Sequence, residues 1–198
     1  MISAIVLAAG QSTRMGQPKL ILPWKETTVI GQVVKTLINS GLDEIIVVTG
    51  GAQHQVKSNL QEFPVRFVSN LRFESTEMTY SLKIGMTTLR KDTEAIMVTL
   101  GDQPQIEISV VEDIIKLYRQ TRSYLVIPSY KRRRGHPWLI DYHLFPKITE
   151  LNEDETLRDF LDQHQDEIRY LQVNEESVLQ DLDTLADYQK FQKNLKMD

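Results

Sequence analysis

The strongest constraint on how this chain can fold is an alternation of continuous apolar runs with segments of helical spacing. The runs "SAIVLAA" (3–9), "EIIVVTGG" (44–51), "VRFVSN" (65–70), "AIMVTLGDQP" (95–104) and "SYLVIPSY" (123–130) read as strands. Between them, "TTVIGQVVKTLINSG" (27–41), "QHQVKSNLQEF" (53–63), "YSLKIGMTTLRK" (80–91) and "SVVEDIIKLYRQT" (109–121) fit helices. A strand that is apolar along its length needs cover on both faces, and helices placed between strands give that cover over a parallel sheet. The expected fold is α/β: a three-layer Rossmann-like sandwich, with a mostly parallel central sheet and helices on both faces. Later the pattern changes to helical "YHLFPKITEL" (142–151) and "ETLRDFLDQHQDEI" (155–168), a strand "RYLQV" (169–173) and a helix "LADYQKFQKNLK" (185–196). No repeat or low-complexity linker interrupts the 198 residues, so one domain over 1–198 is expected.

Composition removes several function classes. Lys and Arg number 23 against 27 Asp and Glu, a formal net charge of -4, which does not favour nucleic acid as a partner. The absence of cysteine excludes disulfides and thiolate metal sites. The start "MISAIVLAAG" has no basic n-region, and no stretch reaches the ~18 apolar residues of a membrane helix. A soluble, cytoplasmic protein with no membrane partner is expected.

In open parallel sheets, ligands sit beyond the carboxyl ends of the strands. "AAGQSTRMG", "TGG", "SN" and "GDQP" all fall at such ends. The first combines small residues, whose exposed N–H groups form an anion nest, with Arg14, a fork-shaped phosphate donor, and Lys19, a mobile point charge. It fits neither G-x-x-x-x-G-K-[ST] nor G-x-G-x-x-G. Asp102 ends an apolar strand, where a carboxylate can hold Mg²⁺ over a triphosphate or simply begin a turn. Asp181 and Asp183, two apart in an extended segment, share one side. His54, His143 and His164 lack partners at metal-binding spacing, and Trp24 and Trp138 read as packing residues.

"LAAGQSTRMGQPKL" resembles the signature loop of nucleotidyltransferases with a glycosyltransferase-A-like fold. Within them it is most similar to the molybdenum cofactor cytidylyltransferases, whose pattern L-A-A-G-x-S-x-R-M-G-x-x-K it matches at every defined position. The resemblance implies transfer of a nucleotidyl group from an NTP, with CTP the best candidate, to molybdopterin-type cofactor, releasing pyrophosphate. It implies catalytic roles for Arg14, Lys19 and Asp102, and nucleotide binding by Leu7, Ala8, Ala9, Gly10, Arg14, Lys19 and Gly101. "SNLRFESTEMTYSLKIG" adds Asn70 and Ser81 on the nucleoside side. "LGDQP" and "DLDT" imply Mg²⁺ held by Asp102, with Asp183 first and Asp181 second as the further carboxylate. "RRRGHP" implies a second-substrate loop with Arg134, Gly135 and His136, followed by an apolar strand, and Arg158 keeps a cationic place nearby. A recipient molybdoenzyme is an implied partner.

The chain departs from the family pattern at Glu77 and Tyr80, at Glu153, Glu155 and Leu157, and at Leu185 and Ala186. Three activities therefore fit the motifs: cytidylyl transfer to molybdopterin, transfer to a sugar or polyol phosphate, and binding and delivery of the cofactor without turnover.

Overall fold

The computed structural model describes residues 1–10, 12 and 15–194, with the side chains of 193 and 194 left out; Arg14 therefore lies outside the described residues. The chain begins with β1 (Ile2–Ala8), a short hairpin of β2 (Pro23–Trp24) and β3 (Thr27–Thr28), and α1 (Val29–Asn39). It continues through β4 (Glu44–Thr49), α2 (Gln53–Asn59), β5 (Arg66–Ser69), α3 (Met78–Met86), β6 (Ala95–Leu100) and α4 (Ile108–Thr121). The last third adds β7 (Leu125–Tyr130), β8 (Arg133–Arg134), β9 (Trp138–Asp141), α5 (Phe145–Glu150), α6 (Leu157–Gln163), β10 (Ile168–Gln172) and α7 (Leu185–Asn194).

The sheet runs in the order β10-β7-β9-β6-β1-β4-β5, with β8 paired to β7. β1 pairs in parallel with both β4 and β6, and β4 with β5. Strands β1, β4 and β5 progress outward on one side, and the chain then crosses back to lay β6 on the other side of β1. The order of strands therefore reverses at β1 and β6, the position where such sheets open a crevice beyond the strand ends.

Every residue of β1 is buried, and its side chains alternate between two cores. Ala4, Val6 and Ala8 join a cluster with Val33, Leu37, Val111 and Ile114 of α1 and α4. Ile5 and Leu7 join Leu82 of α3, Ile148 of α5 and Phe160 of α6. Two apolar faces on one strand explain the unbroken apolar run and fix the three layers.

The apolar strand expected after the RRRGHP loop departs from the parallel pattern. β9 lies between β6 and β7 and runs antiparallel to both. Before it, β7 and β8 form a hairpin closed by a two-residue turn, Lys131–Arg132, between the paired residues Tyr130 and Arg133. Both turn residues have positive φ, 48° and 65°, as the tight hairpin turn requires; Asn-Gly would have announced such a turn and Lys-Arg does not. Asp141 anchors the far end of β9, accepting from Tyr118 Oη at 2.6 Å and from His143 N at 3.0 Å.

Several helices are shorter than their polarity patterns suggest. The helix expected over 155–168 is α6 alone, Leu157–Gln163. His164 ends it, its ring Nδ1 lying 2.8 Å from the Phe160 carbonyl oxygen, and β10 begins at Ile168. The helix expected over 80–91 starts at Met78 and ends at Met86, where the Thr87 and Thr88 hydroxyls donate back to the Ile84 and Gly85 carbonyls.

Candidate active site

Three loops meet over the carboxyl ends of β1 and β6, and they bring together residues far apart in sequence. Lys19 Nζ donates to a carboxylate oxygen of Asp102 and lies 3.4 Å from Asp183 Oδ1. The Lys19 and Asp102 side chains are only 15% and 16% exposed, so their attraction acts largely out of bulk water. Asp181 takes a different direction from Asp183. Its Oδ1 accepts a 2.7 Å hydrogen bond from Gln103 Nε2. Burial, together with the negative charges of Asp102 and Asp183, holds the Asp181 carboxyl above the usual carboxylate range. Among the described residues, no group of three or more His, Asp or Glu gathers as a closed metal cage.

Two cavities flank this cluster. The smaller, about 190 Å³, is lined by Leu7, Ala8, Ala9, Gly10, Lys19, Ser81 and Asp102 among others. The larger, about 810 Å³, is lined by Gln103, Arg134, Gly135, His136, Arg158 and Asp181 among others. Glu77, Met78 and Leu100 belong to the walls of both, so the two spaces adjoin beside Asp102.

Asn70 and Gly101 stand behind the small cavity and do not line it. Asn70 is 1% exposed; its amide donates to Ser81 Oγ at 3.0 Å and to Thr76 Oγ1 at 3.2 Å. Its Oδ1 accepts from Arg72 N at 2.8 Å, so this one side chain ties the 70–77 loop to the start of α3. Gly101 N donates to the Leu7 carbonyl at 3.0 Å, joining the ends of β1 and β6.

On the other side, Arg134 pairs with Asp162 and donates to Tyr170 Oη at 3.0 Å. Gly135 lies so close to Val178 that a Cβ would stand 2.6 Å from its carbonyl oxygen. His136 stacks on Trp138 with ring centroids 4.2 Å apart and planes 16° from parallel. Burial lowers the His136 pKa to about 4, so the ring is neutral near pH 7 and offers no charge to an anion.

That shift has a measurable consequence. The folded value lies below the ordinary 6.5, so between pH 6.5 and about 4 the unfolded chain takes up a proton that the folded chain refuses. Stability is expected to fall by up to roughly 3 kcal/mol across that window and to show no further loss from this group below it. Urea midpoints at stepped pH test this, and His136→Phe should flatten the slope.

Two of the three sets of sequence departures meet in space. Thr79 Oγ1 donates to the Glu155 carbonyl at 2.9 Å, and Arg72 pairs with Glu153 at 3.0 Å. The altered 77–80 and 153–158 segments thus touch one another and together form one wall of the large cavity.

Gly50 escapes motif reading, although the pair of glycines closing β4 is its signal. A Cβ there would collide with the Ala9 carbonyl oxygen and stand 2.9 Å from Ala9 Cα and 2.8 Å from Phe73 Cβ. Backbone cannot yield as a flexible side chain can, so Gly50→Ala must displace the loop at Ala9. We expect it to cost about 1–3 kcal/mol of stability. Nucleotide affinity should fall at least about tenfold, checked by calorimetric titration with CTP.

The geometry has clear relatives. The model of the MobA-like NTP transferase domain matches residues 4–168. Nicotine blue oxidoreductase of Paenarthrobacter nicotinovorans is 29% identical over 196 residues, covering 93% of each chain. The molybdenum cofactor cytidylyltransferase of Escherichia coli (strain K12) is 23% identical over 194 residues, covering 94% of this chain and 93% of its own. The structure of Rv0371c from Mycobacterium tuberculosis H37Rv, in complex with manganese, matches with a TM-score of 0.83 at 26% identity, covering 97% of this chain and 98% of that one. The chain belongs to the family of MobA-like NTP transferase domains, and its fold and motifs are those of a nucleotidyltransferase.

Proposed function

We propose that this protein transfers a cytidylyl group from CTP to the phosphate of a molybdopterin-type cofactor and releases pyrophosphate. The observation that carries this reading is the meeting of two cavities beside Lys19, Asp102 and Asp183, one walled by the signature loop and one rimmed by arginines. Such a site holds two anionic substrates end to end. An acceptor phosphate oxygen attacks the α-phosphorus, the bond to the bridging oxygen of the β-phosphate breaks, and pyrophosphate leaves.

The obstacle is charge. At ~4 Å and an effective dielectric near 20, each pair of like unit charges costs about 4 kcal/mol. Lys19, Arg14 and the N–H groups of 7–10 oppose that repulsion on the nucleotide side, with Ser81 and Asn70 shaping the nucleoside pocket and Gly101 joining the strand ends behind it. Arg134, Gly135, His136 and Arg158 form the acceptor side. Asp102 and Asp183 converge on one cationic position, a donor set that fits Mg²⁺, which is held by one or two carboxylates with phosphates and water. Bound there, the ion would screen the triphosphate and stabilise charge on the leaving pyrophosphate. Asp181, turned toward Gln103, is the less suited ligand. A recipient molybdoenzyme would take up the product.

A second reading, transfer to a sugar or polyol phosphate, draws on the rebuilt wall of 77–80 and 153–158. Pyrophosphate release with Mg²⁺ and molybdenum-loaded molybdopterin, comparing CTP, GTP and ATP, tests the proposal. Release with CTP alone supports it; release with GTP alone keeps the chemistry and reassigns the base. Release only with a polyol phosphate selects the second reading. Cofactor binding without turnover points to delivery.

A further inference from the structure

The loop that follows β6 works in two directions. Asp102 pairs with Lys19, which also reaches Asp183, while Gln103 and Gln105 bond to the chain segment 177–181. Gln105 Nε2 donates to the Ser177 carbonyl at 3.0 Å and to the Gln180 carbonyl at 2.5 Å. The opposite amide orientation would set oxygen against both carbonyls, so the partners fix the orientation. Gln103 Nε2 adds its bond to Asp181 Oδ1 at 2.7 Å.

Both carbonyls belong to one feature. A single turn of 3₁₀ helix spans Glu176–Leu179, and Gln180 caps its end. The last carbonyls of a helix take donors from outside it. Here one amide from another loop donates to two carbonyls of this turn, the second of them one residue before Asp181. Beyond Asp183 the chain is fixed again. Asp187 N donates to Thr184 Oγ1 at 3.2 Å, and Thr184 N to Asp187 Oδ2 at 2.8 Å, which caps α7. Asp183 therefore stands in a short link between two hydrogen-bonded anchors.

Apolar contacts hold the same segment, since Val178 and Leu182 are buried in the core beside α1 and α4. Apolar burial is non-directional, so it sets how deep the segment lies and leaves its exact register to directed bonds. A divalent ion tolerates little error in that register. Mg²⁺ asks for near-ideal octahedral geometry at about 2.0–2.1 Å, so carboxylates from two distant parts of the chain must be held at one separation.

We propose that Gln105, assisted by Gln103, is a positioning residue for the metal pair: it bonds the segment carrying Asp183 to the loop carrying Asp102, and so sets the separation at which the two carboxylates meet one divalent ion. This rests on reading Asp102 and Asp183 as the ligands of that ion. Residues that orient metal ligands carry about tenfold to hundredfold effects on affinity without touching the metal.

The test is a double-mutant cycle on Mn²⁺ affinity, read from the electron paramagnetic resonance of the free ion with the full chain present. Gln105→Met keeps the length of the side chain and removes both donors. It should weaken Mn²⁺ binding at least about fivefold, while metal-free CTP affinity stays within about twofold. Asp183→Asn should weaken Mn²⁺ binding at least about tenfold. Adding Gln105→Met to Asp183→Asn should then change the affinity by less than about twofold, because Gln105 acts through Asp183. Gln105→Asn, whose amide falls one carbon short, is the second variant should the first fail to fold. Mn²⁺ affinity within about twofold of wild type in both Gln105 variants overturns the proposal and leaves the metal reading standing. An equal loss with and without the Asp183 carboxylate also overturns it, since a general effect on the fold is additive. Unchanged affinity in Asp183→Asn, or no Mn²⁺ binding by the wild-type protein, overturns the metal reading as well. The expected cycle in a protein that releases no pyrophosphate keeps this inference and counts against nucleotidyl transfer alone.

Discussion

Asp102→Asn is expected to lower pyrophosphate release by about 10³-fold or more while leaving the fold intact. The substitution keeps size and one acceptor oxygen, so Lys19 can still be hydrogen-bonded. It removes the negative charge at the place where the two cavities adjoin. With that charge gone, a divalent ion has one carboxylate of its pair left, and transition-state charge on the phosphates loses its main counterweight. Stability should change little, because Lys19 keeps Asp183 and the like-charge pressure on Asp181 eases. Single-turnover rates, with thermal unfolding as the control, check this. Unchanged turnover would remove Asp102 from the reacting centre. Chelating the divalent ion from the wild-type protein should mimic the variant.

Lys19→Met is expected to damage both stability and catalysis, in separable ways. The methionine keeps an unbranched side chain and loses the charge that lies between Asp102 and Asp183. Removing one partner of a buried ion pair costs about 3–5 kcal/mol, but Asp183 is 35% exposed and water screens part of the resulting repulsion, so about 2–3 kcal/mol is the expected loss. Mn²⁺ or Mg²⁺ should restore the unfolding temperature by neutralising the carboxylates. Turnover should stay at least about 10²-fold down with the metal present, because the cation aimed at the phosphates is missing. Recovery of both together would show that Lys19 serves the fold alone.

The layers were legible because β1, β4 and β6 are apolar along their length, and only cover on both faces explains that. The apolar strand after the RRRGHP loop was legible through the resemblance, but the antiparallel placement of β9 between β6 and β7 was not. Its four residues are too few for a periodicity, and the β7–β8 turn that precedes it rests on Lys131 and Arg132 in a conformation neither residue advertises. Helix ends were overrun wherever side chains stop the helix by bonding back to its carbonyls, as Thr87, Thr88 and His164 do.

The site divides the same way. Lys19, Asp102 and Asp183 could be picked out by motif, although 83 and 164 residues separate the lysine from its partners. The sequence ranked Asp183 before Asp181 but could not show their different partners, Lys19 for Asp183 and the buried Gln103 for Asp181, because those contacts belong to the tertiary fold. Gly50 was visible as a glycine pair, but its reason, close contact with Ala9, exists only once two loops meet.

The most direct measurement follows the α-phosphate itself. CTP labelled at that position is incubated with Mg²⁺, molybdenum-loaded molybdopterin and either wild-type protein or the Asp102→Asn variant, and products are separated. Label joined to the acceptor in equal amount to the pyrophosphate formed, with wild-type protein only, is the expected result. Label found only as free CMP or unreacted CTP, from folded wild-type protein with acceptor present, would contradict cytidylyl transfer to that acceptor at this site.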